Sequence, residues 1–250
     1  FREHDAIIDA LTPYHKDVYR YELMKEKIVL EIGCGMGSHA WRAAPFSKEF
    51  HAVDLSPNSI GLTRKRFQLC GLDDRGIMLG DAEKLPFPDN YFDHVYSNGV
   101  IHHTPNTKKA VNEILRVLKP GGTTTVMIYH KNSIFYYVDI LIKNQMKYAI
   151  LKIVPSSLVR MIFSKQETAI SLQEEIKKTS WREIGNLALR FSDGHYNPHT
   201  KVYTKEEAKM LFFDFKEVVV KLYSGADRWW ENYKCINDNF GWGLFIFAVK

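Results

Sequence analysis

At 250 residues, with 45% hydrophobic and 25% charged side chains, the chain has the make-up of an ordinary folded domain; a chain of this length buries roughly three-quarters of its unfolded surface and needs no disulfides. Its cysteines, Cys34, Cys70 and Cys235, are far apart and form no Cys-x-x-Cys pair, which argues against structural zinc and a secreted disulfide framework and for a reduced, cytoplasmic setting. The net charge of +5 comes without a dense Lys/Arg block, so it reads as a solvated surface and not as a nucleic-acid footprint.

In chain order, Glu3 to Lys25 mixes apolar and charged residues at helical spacing and predicts one or two helices. Lys27–Ile32 is a short apolar strand ending in the cluster Gly33, Gly35, Gly37. Ser38–Phe46 reads as a helix and Phe50–Leu55 as a second strand. Ser56-Pro57 then combines an N-cap with proline at the first helical position, opening a helix that runs to Cys70 and closes at Gly71. Ile77–Leu79 and Phe92–Ser97 are the third and fourth strands. Thr107–Leu118 is a helix, and Pro120-Gly121-Gly122 turns into a fifth strand ending near Tyr129. This alternation means βαβ units and a parallel sheet.

From Ser133 to about Arg190 the pattern is helical only. Asp139, Lys143, Lys147, Lys152 and Arg160 interrupt its apolar run, and a spanning helix needs about 20 mostly apolar residues, so nothing is expected to cross a membrane. Thr204-x-x-Glu207 is a capping box, and Val218–Leu222 and Leu244–Val249 read as late strands. The expected organisation is cap helices at 1–26, a core at 27–130, a helical lid at 131–212 and closing strands at 213–250. The first residue is Phe1 and not Met, which leaves an N-terminal targeting segment open.

The segment Val29 to Gly37 decides the chemistry. A buried strand enters a loop whose glycines let the backbone turn and approach a ligand closely, and the next strand ends in Asp54. That is about the 20-residue distance at which a carboxylate grips ribose hydroxyls. Dinucleotide binders use Gly-x-Gly-x-x-Gly and rest a pyrophosphate on the helix that follows. Here Glu31 precedes the glycines as Glu-x-Gly-x-Gly-x-Gly, an acid that repels a pyrophosphate but tolerates a sulfonium bearing an α-amino group.

At these residues the chain resembles the class I S-adenosylmethionine-dependent methyltransferases, especially the small-molecule branch. The matching stretches are LEIGCGMG at 30–37, VDLS at 53–56, GDAEKLPF at 80–87, FDHVYSNGVIHHTPN at 92–106 and LKPGG at 118–122. The resemblance implies a Rossmann-like, doubly wound, mostly parallel seven-stranded sheet with a helical insertion between strands 5 and 6 and S-adenosyl-L-methionine as cofactor. It also implies the binding roles. Glu31, Gly33, Cys34, Gly35 and Gly37 would face the methionine part, Asp54 the ribose and Leu55 the adenine face. Asp81 and Ala82 would meet the adenine edge, and Asn98, Gly99 and Val100 would line the fourth strand's exit. N-terminal helices commonly cap the cofactor in this family, which brings in Tyr14 and Tyr19.

In open α/β sheets ligands lie at the carboxyl ends of the strands. His102 and His103 follow the fourth strand there, and Tyr129 and His130 the fifth. A histidine suits the base role because its ordinary pKa lies near neutrality. His195, with Tyr196 and His199, sits in the polar turn-forming segment 192–199 and is a further candidate. No metal is expected. The competing readings are an RNA methyltransferase and a non-methylating enzyme or binder of the same fold. Against the first, methylases of exocyclic base amines carry Asn/Asp-Pro-Pro-aromatic where this chain has Asn98-Gly99-Val100-Ile101. The lysine-bearing amphipathic helices of Ser133–Phe163 also allow peripheral contact with a membrane surface. Oligomeric state is not legible.

Overall fold

Two helices, α1 (Arg2–Leu11) and α2 (His15–Tyr19), precede the sheet; Pro13 interrupts them, and a 3-10 turn at Tyr21–Met24 leads into β1 (Ile28–Ile32). A computed structural model describes residues 1–162, 167–184, 199–223 and 239–250. Two units emerge: Phe1–Lys131 with Val202–Lys250, which holds the sheet, and the helical segment Asn132–Lys201.

In the sheet unit, β1 alternates with α3 (Ala40–Ala43), β2 (Glu49–Asp54), α4 (Pro57–Leu69), β3 (Ile77–Leu79), β4 (Phe92–Asn98), α5 (Thr107–Val117) and β5 (Leu118–His130). The strand runs are apolar on both faces because helices cover both sides of a parallel sheet. Val29, Leu30, Val53, Val95 and Tyr96 are wholly buried. Fully burying one such aliphatic side chain is worth roughly 1.5–3 kcal/mol. α4 begins as expected, with the Ser56 hydroxyl accepting the Ser59 N–H at 3.3 Å and Pro57 at its first position. The helix expected over Ser38–Phe46 is shorter. Only Ala40–Ala43 is α-helical, and Ala44–Phe46 tightens to a 3-10 turn around Pro45, which has no N–H to continue the ladder.

The strand order is β3-β2-β1-β4-β5-β8-β7, where β7 is Glu217–Tyr223 and β8 is Gly243–Val249. β1 pairs in parallel with β2 and β4, and β8 runs antiparallel to both β5 and β7. The late strands are thus the expected pair. An eighth, two-residue strand, β6 (Val202–Tyr203), pairs in parallel with Tyr129–His130 at the end of β5. The Thr204 capping box opens α9 (Lys205–Leu211), which belongs to the sheet unit and buries Ala208 in the core with α5. The topological switch lies between β1 and β4, where ligands bind in such sheets.

In the helical unit, a π-helical stretch (Tyr136–Asn144) continues into α6 (Gln145–Ile153), followed by α7 (Ser156–Ile162) and α8 (Glu167–Lys178). Ile140, Tyr148, Val159, Leu172 and Ile176 are buried in this unit. Gln173 donates to the Leu151 and Val154 carbonyls, and the Lys152 ammonium caps the end of α8 at the carbonyls of Ile176, Lys177 and Thr179.

Candidate active site

The glycine loop follows β1 directly. Gly33 has φ +80°, and a Cβ there would lie 2.2 Å from the Val100 side chain, so the exits of β1 and β4 touch only because residue 33 has no side chain. Gly35 has φ +53°, and a Cβ there would meet no atom within 4 Å. Its backbone is bare on that side. Thr63 of α4 fastens the loop, its hydroxyl donating to the Gly35 carbonyl at 2.9 Å and contacting Cys34 Sγ, and it also fills the space beside Gly37. Burial, and next the nearby Glu31, push the Cys34 thiol up to about 12, so it is no nucleophile at neutral pH.

Asp54, ending β2, accepts the Gly35 N–H on Oδ2 and the Ser56 N–H on Oδ1, both at 2.9 Å. Two backbone donors fix the carboxylate, and each oxygen keeps lone-pair capacity for a ligand hydroxyl. Leu55 beside it is 71% exposed, an apolar surface at the head of α4. Ala82 is buried, while Asp81 is exposed and turns its carboxylate onto the Glu83 N–H at 2.8 Å.

Glu31 is 2% exposed and accepts the Tyr96 hydroxyl at 3.1 Å. Among the described residues it makes no ion pair. Burial raises its carboxyl well above the ordinary range, and Asp54 adds to that, against the opposing Tyr96 bond and Arg66. A buried carboxyl without a counter-ion is stabilised by an incoming cation. The α-amino group of an S-adenosyl cofactor provides one. Together, the bare Gly35, the anchored Asp54, the open Leu55 and the uncompensated Glu31 fit that cofactor.

The β4 side is made differently. Asn98 and Gly99 (φ +71°) end the strand. The Asn98 side chain is engaged away from the loop: its Oδ1 accepts the Tyr19 hydroxyl at 2.8 Å, and its Nδ2 lies 3.1 Å from His39 Nε2. The other nitrogen of His39 is 2.5 Å from the Tyr21 hydroxyl. His39 is buried, and desolvation, with His15 and Arg42 adding, holds its pKa well below the ordinary value. The ring is therefore neutral, with one donor and one acceptor nitrogen. With Nε2 accepting from Asn98, Nδ1–H donates to Tyr21, so Tyr19, Asn98, His39 and Tyr21 form one hydrogen-bonded chain. Asn98 thus offers a ligand its backbone, not its amide.

Tyr19 reaches the β4 exit through its bond to Asn98. Tyr14 instead stacks on Tyr223 at 5.1 Å and meets Phe245 edge-on, against β7 and β8. His102 is wholly buried; its ring centroid is 3.9 Å from that of His103 and 4.1 Å from that of Tyr129, which lies 4.2 Å from Trp242. His103 and Tyr129 are half-buried. These four rings wall the exits of β4 and β5. His130 is buried with Nδ1 3.0 Å from the Gly241 carbonyl, and burial lowers its pKa. His195 and Tyr196 lie outside the described residues, and His199 is exposed.

His39, Tyr21 and Trp242 are the site residues that sequence reasoning missed. For His39 the available signal was its place two residues after Gly37. For Trp242 there was none.

A family model described as "Methyltransferase domain" matches residues 30–126, which covers β1 to β5. Over 122 residues, 48% of this chain and 36% of the relative, the chain is 34% identical to a sterol 4-C-methyltransferase of Caenorhabditis elegans. Over 111 residues, 44% of this chain and 40% of the relative, it is 37% identical to a phthiotriol/phenolphthiotriol dimycocerosates methyltransferase of Mycobacterium leprae. The matched segment therefore spans well under half the length of these curated relatives. A solved S-adenosylmethionine-dependent methyltransferase from Archaeoglobus fulgidus superposes with a TM-score of 0.61 over 98% of this chain and 94% of its own at 14% identity, which speaks to the fold. Residues 30–126 thus match a methyltransferase domain, and the chain shares the fold of a solved S-adenosylmethionine-dependent methyltransferase.

Proposed function

We propose that this protein transfers a methyl group from S-adenosylmethionine to a lipophilic small molecule. The observation that carries the reading is the junction of the backbone cradle at Gly33–Gly37 and Asp54 with the wall of His102, His103, Tyr129 and Trp242 at the next two strand exits. Aromatic walls recognise apolar surface, and one relative is named a sterol 4-C-methyltransferase and another a phthiotriol/phenolphthiotriol dimycocerosates methyltransferase.

Bound in the cradle, the cofactor supplies an electrophilic methyl on a sulfonium. The chain has three tasks: to align the acceptor in line with that methyl, to exclude water, and to take the acceptor's proton where it has one. Gly33, Cys34, Gly35 and Gly37 lend backbone, Glu31 meets the amino group, Asp54 the ribose, and Leu55, Asp81 and Ala82 the adenine. Tyr19, Gly99 and Val100 close the methionine side. We assign proton removal to His103, which is half-buried and so reachable, with the enclosed His102 holding its ring. Acceptor choice is assigned to the insertion within 131–212.

The test is a transfer assay with radiolabelled S-adenosylmethionine against extracted lipids, polar metabolites and RNA. Label in the lipid fraction is expected, with His103→Asn lowering kcat by tenfold or more at unchanged cofactor Kd. Label in RNA alone replaces this reading with a nucleic-acid methyltransferase. Cofactor binding without transfer to any pool makes the protein a non-methylating member of the fold.

A further inference from the structure

The helical unit carries an apolar stripe on its outside. Along the continuous helix of the π-helical stretch and α6, Ile142, Met146, Ile150 and Ile153 are 53%, 60%, 55% and 71% exposed. Their spacing of i, i+4, i+8 and i+11 at about 100° per residue sets all four on one side, along about 16 Å of helix. Tyr148, on the opposite side, is buried with Ile176 in the unit. This helix is therefore apolar on the face it packs and also on the face it shows to solvent.

The surroundings of the stripe say what suits it. Lys143 and Lys147, both exposed, fall on one flank. On the other flank Lys152 holds the end of α8, and its ammonium lies 5.5 Å from the ring of Trp181, which is 58% exposed close to the Ile153 end. An apolar stripe one helix wide, with lysine stems beside it and tryptophan at its end, is the pattern of a helix lying in a membrane interface. The cores of protein interfaces are depleted in lysine. No helix among the described residues is long and apolar enough to span a bilayer, so the stripe can only lie on one.

We propose that this helix face docks on an anionic lipid bilayer, with Ile142, Met146, Ile150 and Ile153 sunk to the acyl boundary and Lys143 and Lys147 among the phosphates. The inference is independent of which acceptor is methylated.

The test is co-sedimentation of the full chain with phosphatidylcholine vesicles containing about a third phosphatidylserine, and with pure phosphatidylcholine vesicles. Binding to the anionic vesicles is expected at low salt, weakening as salt rises. Met146→Glu with Ile150→Glu should lower the partition at least tenfold. Lys143→Gln with Lys147→Gln should lower it about twenty-five-fold, near fivefold per lysine. Leu69→Glu, equally exposed but on α4 of the sheet unit, should leave it unchanged. Every variant should keep the wild-type Tm and S-adenosylmethionine affinity, which separates this test from the cofactor reading. Absence of vesicle binding at low salt overturns the proposal, and so does binding that the stripe variants leave intact. A change from dimer to monomer in those variants, with no vesicle binding by either form, assigns the stripe to a second copy of the chain instead.

Discussion

Beside β1 and β2 the site is made of backbone; beside β4 and β5 it is made of side chains. At the first end, the working parts are the dihedrals of Gly33 and Gly35, the Gly35 N–H and one anchored carboxylate, Asp54. At the second end, Tyr19, Tyr21, His39, Asn98, His102, His103, Tyr129 and Trp242 come together from segments up to about two hundred residues apart. Backbone geometry is shared by every member that binds the same cofactor, whereas side chains can change without moving the strands. On the proposed function, the first end holds the cofactor and the second meets the acceptor.

The sharpest way to separate the ends is to add one methyl at two glycines of the same loop. In Gly33→Ala the new Cβ falls 2.2 Å from Val100 at a positive φ. We expect a loss of at least about 3 kcal/mol, or ~6–12 °C in Tm, with partial recovery on adding Val100→Ala. Gly35→Ala meets no atom, so the fold should lose only about 1 kcal/mol from the backbone strain. Its methyl points into the open cradle, however, and S-adenosylmethionine affinity should fall at least tenfold. Differential scanning calorimetry with and without cofactor reads both. Equal loss of stability in the two variants would break the distinction.

The two ends should also answer pH with opposite sign. At the side-chain end His15, its ring 4.8 Å from that of His39, is buried, and desolvation before all else lowers it to about 4. His39 is lowered as well, and His94, at the far end of β4 beside Thr123 and outside the site, is lowered to about 4 and adds the same sign. The unfolded chain takes up these protons as pH drops below 6.5 while the folded chain refuses them, so stability falls between pH 6.5 and 4. His15 and His94 each cost on the order of 3 kcal/mol at the acid limit, and His39 acts in the same direction. Glu31 is raised, so the folded chain holds its proton longer than the unfolded chain does, and stability is lost as pH climbs above 4.5. A bound ammonium reverses that loss, so stabilisation by S-adenosylmethionine should grow with pH. Glu31→Gln should flatten the alkaline limb and weaken the cofactor about tenfold, and His15→Gln should flatten part of the acid limb. Thermal melts from pH 4 to 8 decide both.

A smaller effect tests whether the side-chain end is one network. Tyr19→Phe removes the donor to Asn98 Oδ1, and His39→Phe removes the partner of its Nδ2. Each should cost about 1 kcal/mol, because a half-buried amide group loses one partner. Since both act through one amide, the double variant should fall short of the sum by about 0.5 kcal/mol or more, a coupling of ordinary size for neighbours. Strict additivity in chemical denaturation would mean two separate contacts.

This division also explains what could be read before the fold was known. The backbone end was legible because glycines with an acid at the next strand end leave a fixed spacing, and the Ser56-Pro57 and Thr204–Glu207 signals act within four residues. The side-chain end was legible only as strand-end positions. His102, His103 and Tyr129 do gather there, but nothing local distinguishes them from His130, whose ring is taken by the Gly241 carbonyl. Tyr14 and Tyr19 look alike in sequence, yet one turn of helix and Pro13 send the first to Tyr223 and the second to Asn98. Such contacts depend on how α2 crosses the sheet, which no short-range pattern encodes.

A helix cap beyond the end of β5, away from the glycine loop, sets the scale for these differences. The Thr204 side chain accepts the Glu207 N–H at 3.2 Å while the Glu207 carboxylate accepts the Thr204 N–H at 2.8 Å, closing the first turn of α9. Thr204→Ala leaves one helix donor to water and should cost about 1 kcal/mol, or ~2–4 °C in a chain of this size. α9 buries Ala208 with α5 in the core, and its cap follows β6 at the end of β5, on the side away from the glycine loop after β1. Cofactor affinity should therefore stay within twofold of wild type by calorimetry. If a change this small and this distant shifted cofactor affinity as strongly as Gly35→Ala does, stability and binding would be one property of the whole sheet. The contrast between a backbone end and a side-chain end would then be description without consequence.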